Sequence, residues 1–202
     1  MQLLIASTNP GKLREIQAIL TGLPFQLLLP GDLGLELDVA ETGSSFAENA
    51  ALKAQAYCQA SRLLCLSDDS GLEVDALDGA PGLHSARYSP DPRATDADRR
   101  ALLLKNLSRY PIPEGTPGWP AHFTCTVAVA VPQGELQFAH GRCDGFVVSK
   151  ERGQNGFGYD PIFFMPEFGR TMAELPDELK NQVSHRGRAI RAALPILQSL
   201  RD

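Results

Sequence analysis

The chain opens on a short apolar run at residues 3–6, a small polar loop (Ser7-Thr8-Asn9-Pro10-Gly11), and then Leu13, Ile16, Ile19 and Leu20 at helical spacing. That order predicts a strand, a tight loop and a helix. Residues 25–29 give a second strand. Ser45-x-x-Glu48 is a capping-box pattern that opens a helix running to about Ser61. Residues 63–67 predict a third strand, ending at Asp68-Asp69-Ser70-Gly71, where Ser70-Gly71 reads as a tight turn. Thr95-x-x-Asp98 caps a further helix, and Pro111, Pro113, Pro117 and Pro120 make 110–121 a connector without regular structure.

From 123 to 131 the pattern alternates, with Phe123, Cys125, Val127, Val129 and Val131 on one face. With 135–149 it predicts long antiparallel strands joined near Pro132-Gln133-Gly134. Residues 153–160 form a glycine-rich loop. Two helices follow, around 176–182 and from 186 to 200, the second bent at Pro195. Early alternation of strands and helices followed by a late meander predicts an α/β chain: a mixed sheet flanked by helices, in a single domain over 1–202.

Composition narrows the function. The 202 residues carry a formal net charge of −5, and 43% are hydrophobic, which is ordinary for a globular chain and argues against disorder. An acidic balance counts against a nucleic-acid partner, whose binding rests on phosphate neutralisation. No apolar run approaches the ~20 residues that span a bilayer, and the first residues lack a cationic signal-peptide start, so no membrane partner is expected. Cys58, Cys65, Cys125 and Cys143 are widely spaced and sit in apolar runs, which predicts buried reduced thiols and a cytoplasmic location.

Four segments could carry chemistry. Ser7, Thr8, Asn9, Pro10, Gly11 and Lys12 join a strand to a helix start, where backbone N–H groups and the dipole suit an anion. It is not a GxxxxGK[ST] loop, and an ordinary turn with Lys12 in solvent has the same pattern. The adjacent Asp68-Asp69 pair needs a cation or donors between its carboxylates and suits Mg²⁺, with Glu41 as a possible third; a solvated acidic turn is the plainer alternative. In Gly156-Phe157-Gly158-Tyr159-Asp160 the glycines allow a flat ligand to reach the ring and Asp160 could accept from a base edge, unless Phe157 turns into the core. In Ser184-His185-Arg186, Ser184 can cap the last helix. His185 and Arg186 then lie on its first turn, with Lys180 five residues earlier. Together the four describe a purine nucleotide site.

The motifs S-T-N-P-G-K, F-A-E-N-A-x-x-K-A, S-D-D-S-G-L-E-V-D-A-L, G-A-P-G-L-H-S-A-R-Y-S, F-G-Y-D-P-I-F-F and S-H-R-G occur in this order. The chain thereby resembles the inosine triphosphate pyrophosphatase family (XTP/dITP diphosphatases) from Leu3 to about Leu197. The resemblance implies a long mixed central sheet in two lobes with an active-site cleft between them, as a homodimer. It implies Mg²⁺-dependent hydrolysis of ITP, dITP and XTP to the monophosphate and pyrophosphate. On matching positions, Ser7 to Lys12 would bind the triphosphate, Glu41 and Asp69 would hold the metal, and Asp69 would accept the proton of the attacking water. Ser70, Phe157, Gly158, Tyr159, Asp160, Lys180, His185 and Arg186 would contact substrate. The rivals are a pyrophosphatase for modified pyrimidine nucleotides and a non-catalytic nucleotide sensor.

Overall fold

Three apolar residues, Leu3, Leu4 and Ile5, are fully buried in β1 (Gln2–Ile5), and the chain then turns directly into α1 (Pro10–Leu20). Pro10 starts that helix without an N–H to satisfy, and Asn9 caps it. The computed structural model describes residues 1–200. After β2 (Gln26–Leu28) come α2 (Phe46–Ser61), β3 (Leu64–Val74), α3 (Asp96–Leu107), β4 (Trp119–Ala130) and β5 (Gln137–Val147). The short strands β6 (Phe163–Met165) and β7 (Arg170–Thr171) precede α4 (Asp177–Val183) and α5 (His185–Ser199).

The seven strands order as β2-β1-β3-β4-β5-β6-β7. β1 pairs in parallel with β2 and β3, in register Leu3↔Leu27 and Leu4↔Cys65, whereas β5-β6-β7 is antiparallel, with Phe146↔Phe164. The sheet is therefore mixed, as the sequence predicted.

The chain divides into two compact units: residues 1–69, 125–141 and 184 onward, and residues 70–124 with 142–183. In the first unit one apolar cluster joins Leu3, Ile5, Ile16, Leu66, Val127 and Ile190, so α1 and α5 share a core. A second gathers Leu4, Cys65, Ala128 and Ala130 against Ala50, Ala54 and Tyr57 of α2. The even and odd positions of β4 thus serve different cores, and the end of that strand is buried on both faces. In the second unit Leu72, Leu103, Leu107, Phe123, Phe163 and Met172 form the core.

Four expectations need correction. β3 does not stop at Ser67; it runs through Asp68-Asp69-Ser70-Gly71 to Val74, so there is no turn there. Acidic residues persist inside a strand because each carboxylate meets donors and cations. The 110–121 connector ends at Trp119, where β4 begins; Trp119 is buried and its indole N–H donates to the Tyr110 carbonyl at 3.1 Å. The capping box at Ser45 is half formed: Ser45 Oγ accepts from the Glu48 N–H, but the Glu48 carboxylate turns to Ser44 instead. The box at Thr95 and Asp98 forms in full. The strands β6 and β7 were not predicted, being only three and two residues long. All four cysteines are buried free thiols, as expected.

Candidate active site

The first unit gathers one charged network. β3 carries Asp68 and Asp69, α1 contributes Glu15 and Lys12, and the segment before α2 carries Glu41. α2 supplies Asn49 and Lys53, and α5 supplies Arg186. Asp68 is 1% exposed. Its Oδ2 lies 3.2 Å from Lys12 Nζ and 3.1 Å from Arg186 Nε, and Cys125 Sγ donates to the same oxygen at 3.8 Å. Burial alone would raise the Asp68 pKa, but the charges of Lys12, Arg186 and Lys53 outweigh it and hold the carboxyl well below the usual range. Arg186, itself 2% exposed, also reaches Glu15 Oε2 at 2.5 Å. Burial disfavours its charge, yet Asp68 and Glu15 more than offset that and raise its pKa further.

Asp69 has a different setting. Asn49 Nδ2 donates to its Oδ2 at 3.1 Å, and Lys53 Nζ stands 3.6 Å from Oδ1. The same ammonium lies 2.6 Å from Glu41 Oε1. Asn49 Oδ1 meanwhile accepts the Gly43 N–H at 2.8 Å, which ties the segment bearing Glu41 to the helix that holds Asp69. Burial lifts the Asp69 pKa above the ordinary carboxylate value, further than Lys53 and Lys12 pull it down. The two neighbouring aspartates therefore differ: Asp68 is locked as an anion among cations, and Asp69 is the more basic. Lys53, disfavoured as a cation by burial, is held above its ordinary value by Asp69, Asp68 and Glu41.

Sequence reasoning singled out Lys12, Glu41, Asp68, Asp69 and Arg186, and these converge. It gave no role to Glu15, Asn49 or Lys53. The last two stand at i and i+4 on α2, one helical face, and that spacing was the available signal.

The Ser7–Lys12 loop is built differently from the expected row of open N–H groups. Asn9 Oδ1 accepts from Gly11 N–H at 2.9 Å and Lys12 N–H at 3.1 Å, and Ser7 Oγ accepts the Asn9 N–H at 3.3 Å. The helix start is thus capped by its own asparagine, and the cation the loop offers is Lys12. A groove of about 580 Å³ beside Ser7 and Thr8 has Leu13, Leu29, Leu35 and Leu37 in its lining, with Asp32, Glu36 and Asp38. Carboxylates around apolar walls do not suit a triphosphate. On α5, Ser184 caps through Gly187 N–H at 3.1 Å as expected, and His185 begins the helix, 5% exposed. Gly141 of β5 lies so close that a Cβ there would meet the His185 carbonyl oxygen at 2.1 Å.

In the second unit the glycine-rich loop is fixed around Asp160. Its Oδ2 accepts from Phe157 N–H at 2.8 Å and from Lys180 Nζ at 2.5 Å, while Lys180 Nζ stands 5.0 Å from the Phe157 ring centroid. Phe157 is half-buried, so it is not lost to the core, whereas Tyr159 is buried and donates its hydroxyl to the Ser85 carbonyl at 2.9 Å. Gly156 is required: at φ +74°, a Cβ would lie 2.1 Å from Asp160 Oδ2 and 2.7 Å from Lys180 Nζ. Ser70 follows Asp69 in β3, half-buried.

This architecture is that of a mixed α/β protein with an acid–lysine centre beside a strand–loop–helix start in its first unit and an aromatic glycine loop in its second. The chain belongs to the Ham1 family, whose model matches residues 3–196. A dITP/XTP pyrophosphatase of Geobacter sulfurreducens is 50% identical over 189 residues, 94% of this chain and 92% of that protein. Another, from Desulforamulus reducens, is 42% identical over 99% of this chain and 97% of its own. A solved HAM1 protein of Coxiella burnetii superposes with a TM-score of 0.86 at 37% identity, covering 98% of this chain and 99% of that one. Among the described residues no helix is long and apolar enough to cross a membrane.

Proposed function

We propose that this Ham1-family chain is a nucleoside-triphosphate pyrophosphatase that hydrolyses dITP, ITP and XTP to the monophosphate and pyrophosphate. The pyrophosphatases of Geobacter and Desulforamulus support the substrate class. The observation that carries the chemistry is the split between Asp68 and Asp69. A buried carboxylate with a raised pKa, oriented by Asn49, is suited to take a proton from water, and its neighbour is suited only to hold cations.

Glu41 and Asp69 would hold Mg²⁺. Among the described residues no three His, Cys, Asp or Glu side chains form a metal cage, but Mg²⁺ keeps waters and needs only one or two carboxylates beside substrate phosphates. The donor chemistry fits: oxygens of Glu41 and Asp69 already converge on one cationic point, Lys53 Nζ. When bound, the ion offsets negative charge on phosphate oxygens. Asp69 orients and deprotonates the water that attacks the α-phosphorus. Lys12 meets phosphate oxygens, so catalysis is positioning plus electrostatics. Phe157 offers a face for the base, and a donor facing its 6-oxo acceptor selects against the 6-amino group of adenine. A cytoplasmic homodimer completes the reading.

The test is pyrophosphate release across ITP, dITP, XTP, GTP, ATP and methylated dTTP, with and without Mg²⁺. Asp69→Asn should cut turnover by ~10²–10⁴-fold with the circular dichroism spectrum intact. Near-normal turnover of dITP by that variant sinks the role of Asp69. Preference for methylated dTTP would move the substrate class to pyrimidines, and tight binding without release would make the chain a sensor.

A further inference from the structure

The glycine loop of the second unit is held from outside itself. Gly158 donates its N–H to Asp96 Oδ2 at 2.8 Å, and its carbonyl accepts from Arg100 Nη1 at 2.8 Å. Both partners come from α3, four residues apart and so on one face of the helix. Each is braced in turn. Asp96 is paired with Arg99 at 2.5 Å, and Arg100 grips both carboxylate oxygens of Glu151, at 2.8 and 3.0 Å. The Arg100 side chain is 12% exposed. Burial would raise the Asp96 pKa, but the bonds from Arg99 and Gly158 outweigh it and keep that carboxyl ionised to lower pH than usual.

What these bonds hold is a conformation the chain would not keep by itself. Gly158 sits at φ +61°, and the space around its Cα is open, since a Cβ would meet nothing within 4 Å. Glycine at such a position is free to visit many other backbone states. The two peptide groups flanking its Cα are the ones bonded to Asp96 and Arg100, so both dihedrals of Gly158 are fixed from α3. Phe157 is then pinned on both sides. Its own N–H is taken by Asp160 and its carbonyl accepts from Asp160 N–H at 3.2 Å. The ring direction follows from the backbone on either side of it.

We infer that Asp96 and Arg100 are positioning residues for base recognition: they lock the Gly158 peptides and thereby preset the Phe157 ring, without touching substrate. The inference rests on the proposed reading of the glycine loop as the base platform. Charge-assisted, part-buried bonds are the strong kind, so their loss should be felt as a looser platform. A preset ring spares the substrate the ordering cost, and binding weakens when that cost returns.

The experiment is steady-state hydrolysis of dITP by the full chain as Arg100→Met, Asp96→Ala, Phe157→Ala and the Phe157→Ala/Arg100→Met pair, each with a thermal melt. We expect KM to rise about tenfold in Arg100→Met and in Asp96→Ala, the scale of one charged hydrogen bond, with kcat changed less than about twofold. In the Phe157→Ala background Arg100→Met should add almost nothing, because the ring it positions is gone. A merely structural role would lower the melting temperature and would act equally in both backgrounds. If Phe157→Ala raises KM and neither α3 variant does, the positioning role is overturned while the base platform stands. If Phe157→Ala itself leaves KM unchanged, the platform reading fails, and this inference with it.

Discussion

Replacing Asp68 by Asn keeps the shape and removes the charge at the one point where two cations meet inside the first unit. In the native protein its Oδ2 lies 3.2 Å from Lys12 Nζ and 3.1 Å from Arg186 Nε, with the Asp68 side chain fully buried and that of Arg186 3% exposed. At an effective dielectric near 20 each contact is worth about 5 kcal/mol of attraction, most of it offset by the cost of taking the ions out of water. The variant does not recover that cost, because Arg186 stays buried against Glu15 and has lost the Asp68 charge. Breaking a buried pair in this way costs about 3–5 kcal/mol. For a chain of this length that lowers the melting temperature by roughly 6–12 °C even at the low end.

The pH dependence follows from the sign of the shift. The folded Asp68 carboxyl lies below its ordinary value, so its contribution is complete above about pH 4 and is lost only as pH falls through the folded value. Thermal melts of wild type and Asp68→Asn should therefore keep a constant gap from neutral pH to mild acid and converge in stronger acid. Adding Arg186→Met removes the stranded cation and should recover part of the loss. A single variant melting within about 2 °C of wild type near pH 7 would refute the reasoning, since that equals at most about one kcal/mol.

Three further outcomes are expected. The four buried thiols should resist a thiol reagent in the native state near pH 8, because burial pushes Cys65 up to about 12 and Cys125 higher still; labelling of one full equivalent before unfolding contradicts this. Gly141→Ala should destabilise by about 1–3 kcal/mol or more, because the new Cβ would lie 2.1 Å from the His185 carbonyl and 2.4 Å from the Ala189 nitrogen, both unyielding backbone; an unchanged melt would show that α5 can retreat. Chelating divalent cations should abolish pyrophosphate release and Mg²⁺ should restore it, whereas full turnover in chelator would remove the metal from the proposal.

The elements long enough to carry a period were legible in the sequence, and the short ones were not. Leu13, Ile16, Ile19 and Leu20 announce α1, and the alternation from Phe123 announces β4, because each pattern spans several turns or strand repeats. β7 has two residues and could not announce itself. The stop placed at Asp68 failed for a different reason. Acidic pairs and a Ser-Gly step are turn chemistry when nothing else is known, and only tertiary partners make them strand chemistry. Those partners come from far along the chain: Lys12 lies 56 residues before Asp68 and Arg186 118 after it. A local reading sees charge without seeing the charge that balances it. Lys53 was overlooked for the same reason, since a lysine on a helix reads as solvated until Glu41 and Asp69 are found on either side.

That balance also bears on how an acidic chain handles a polyanion. In the first-unit network Glu15, Glu41, Asp68 and Asp69 face Lys12, Lys53 and Arg186. Four carboxylates against three cations leave a net negative centre. Such a centre repels a triphosphate unless a further cation arrives, and the two carboxylates that share Lys53 are where an added positive charge lowers the energy most. Arg186 cannot supply it, being held by Asp68 and Glu15. Lys12 can in part, because it stands at the loop and its side chain keeps 15% of its exposure. Counting charges within the network thus supports the proposed divalent ion on grounds separate from the family resemblance. Burial lifts the Asp69 pKa beyond the pull of Lys53 and Lys12, whereas Asp68 also has Arg186 and stays low.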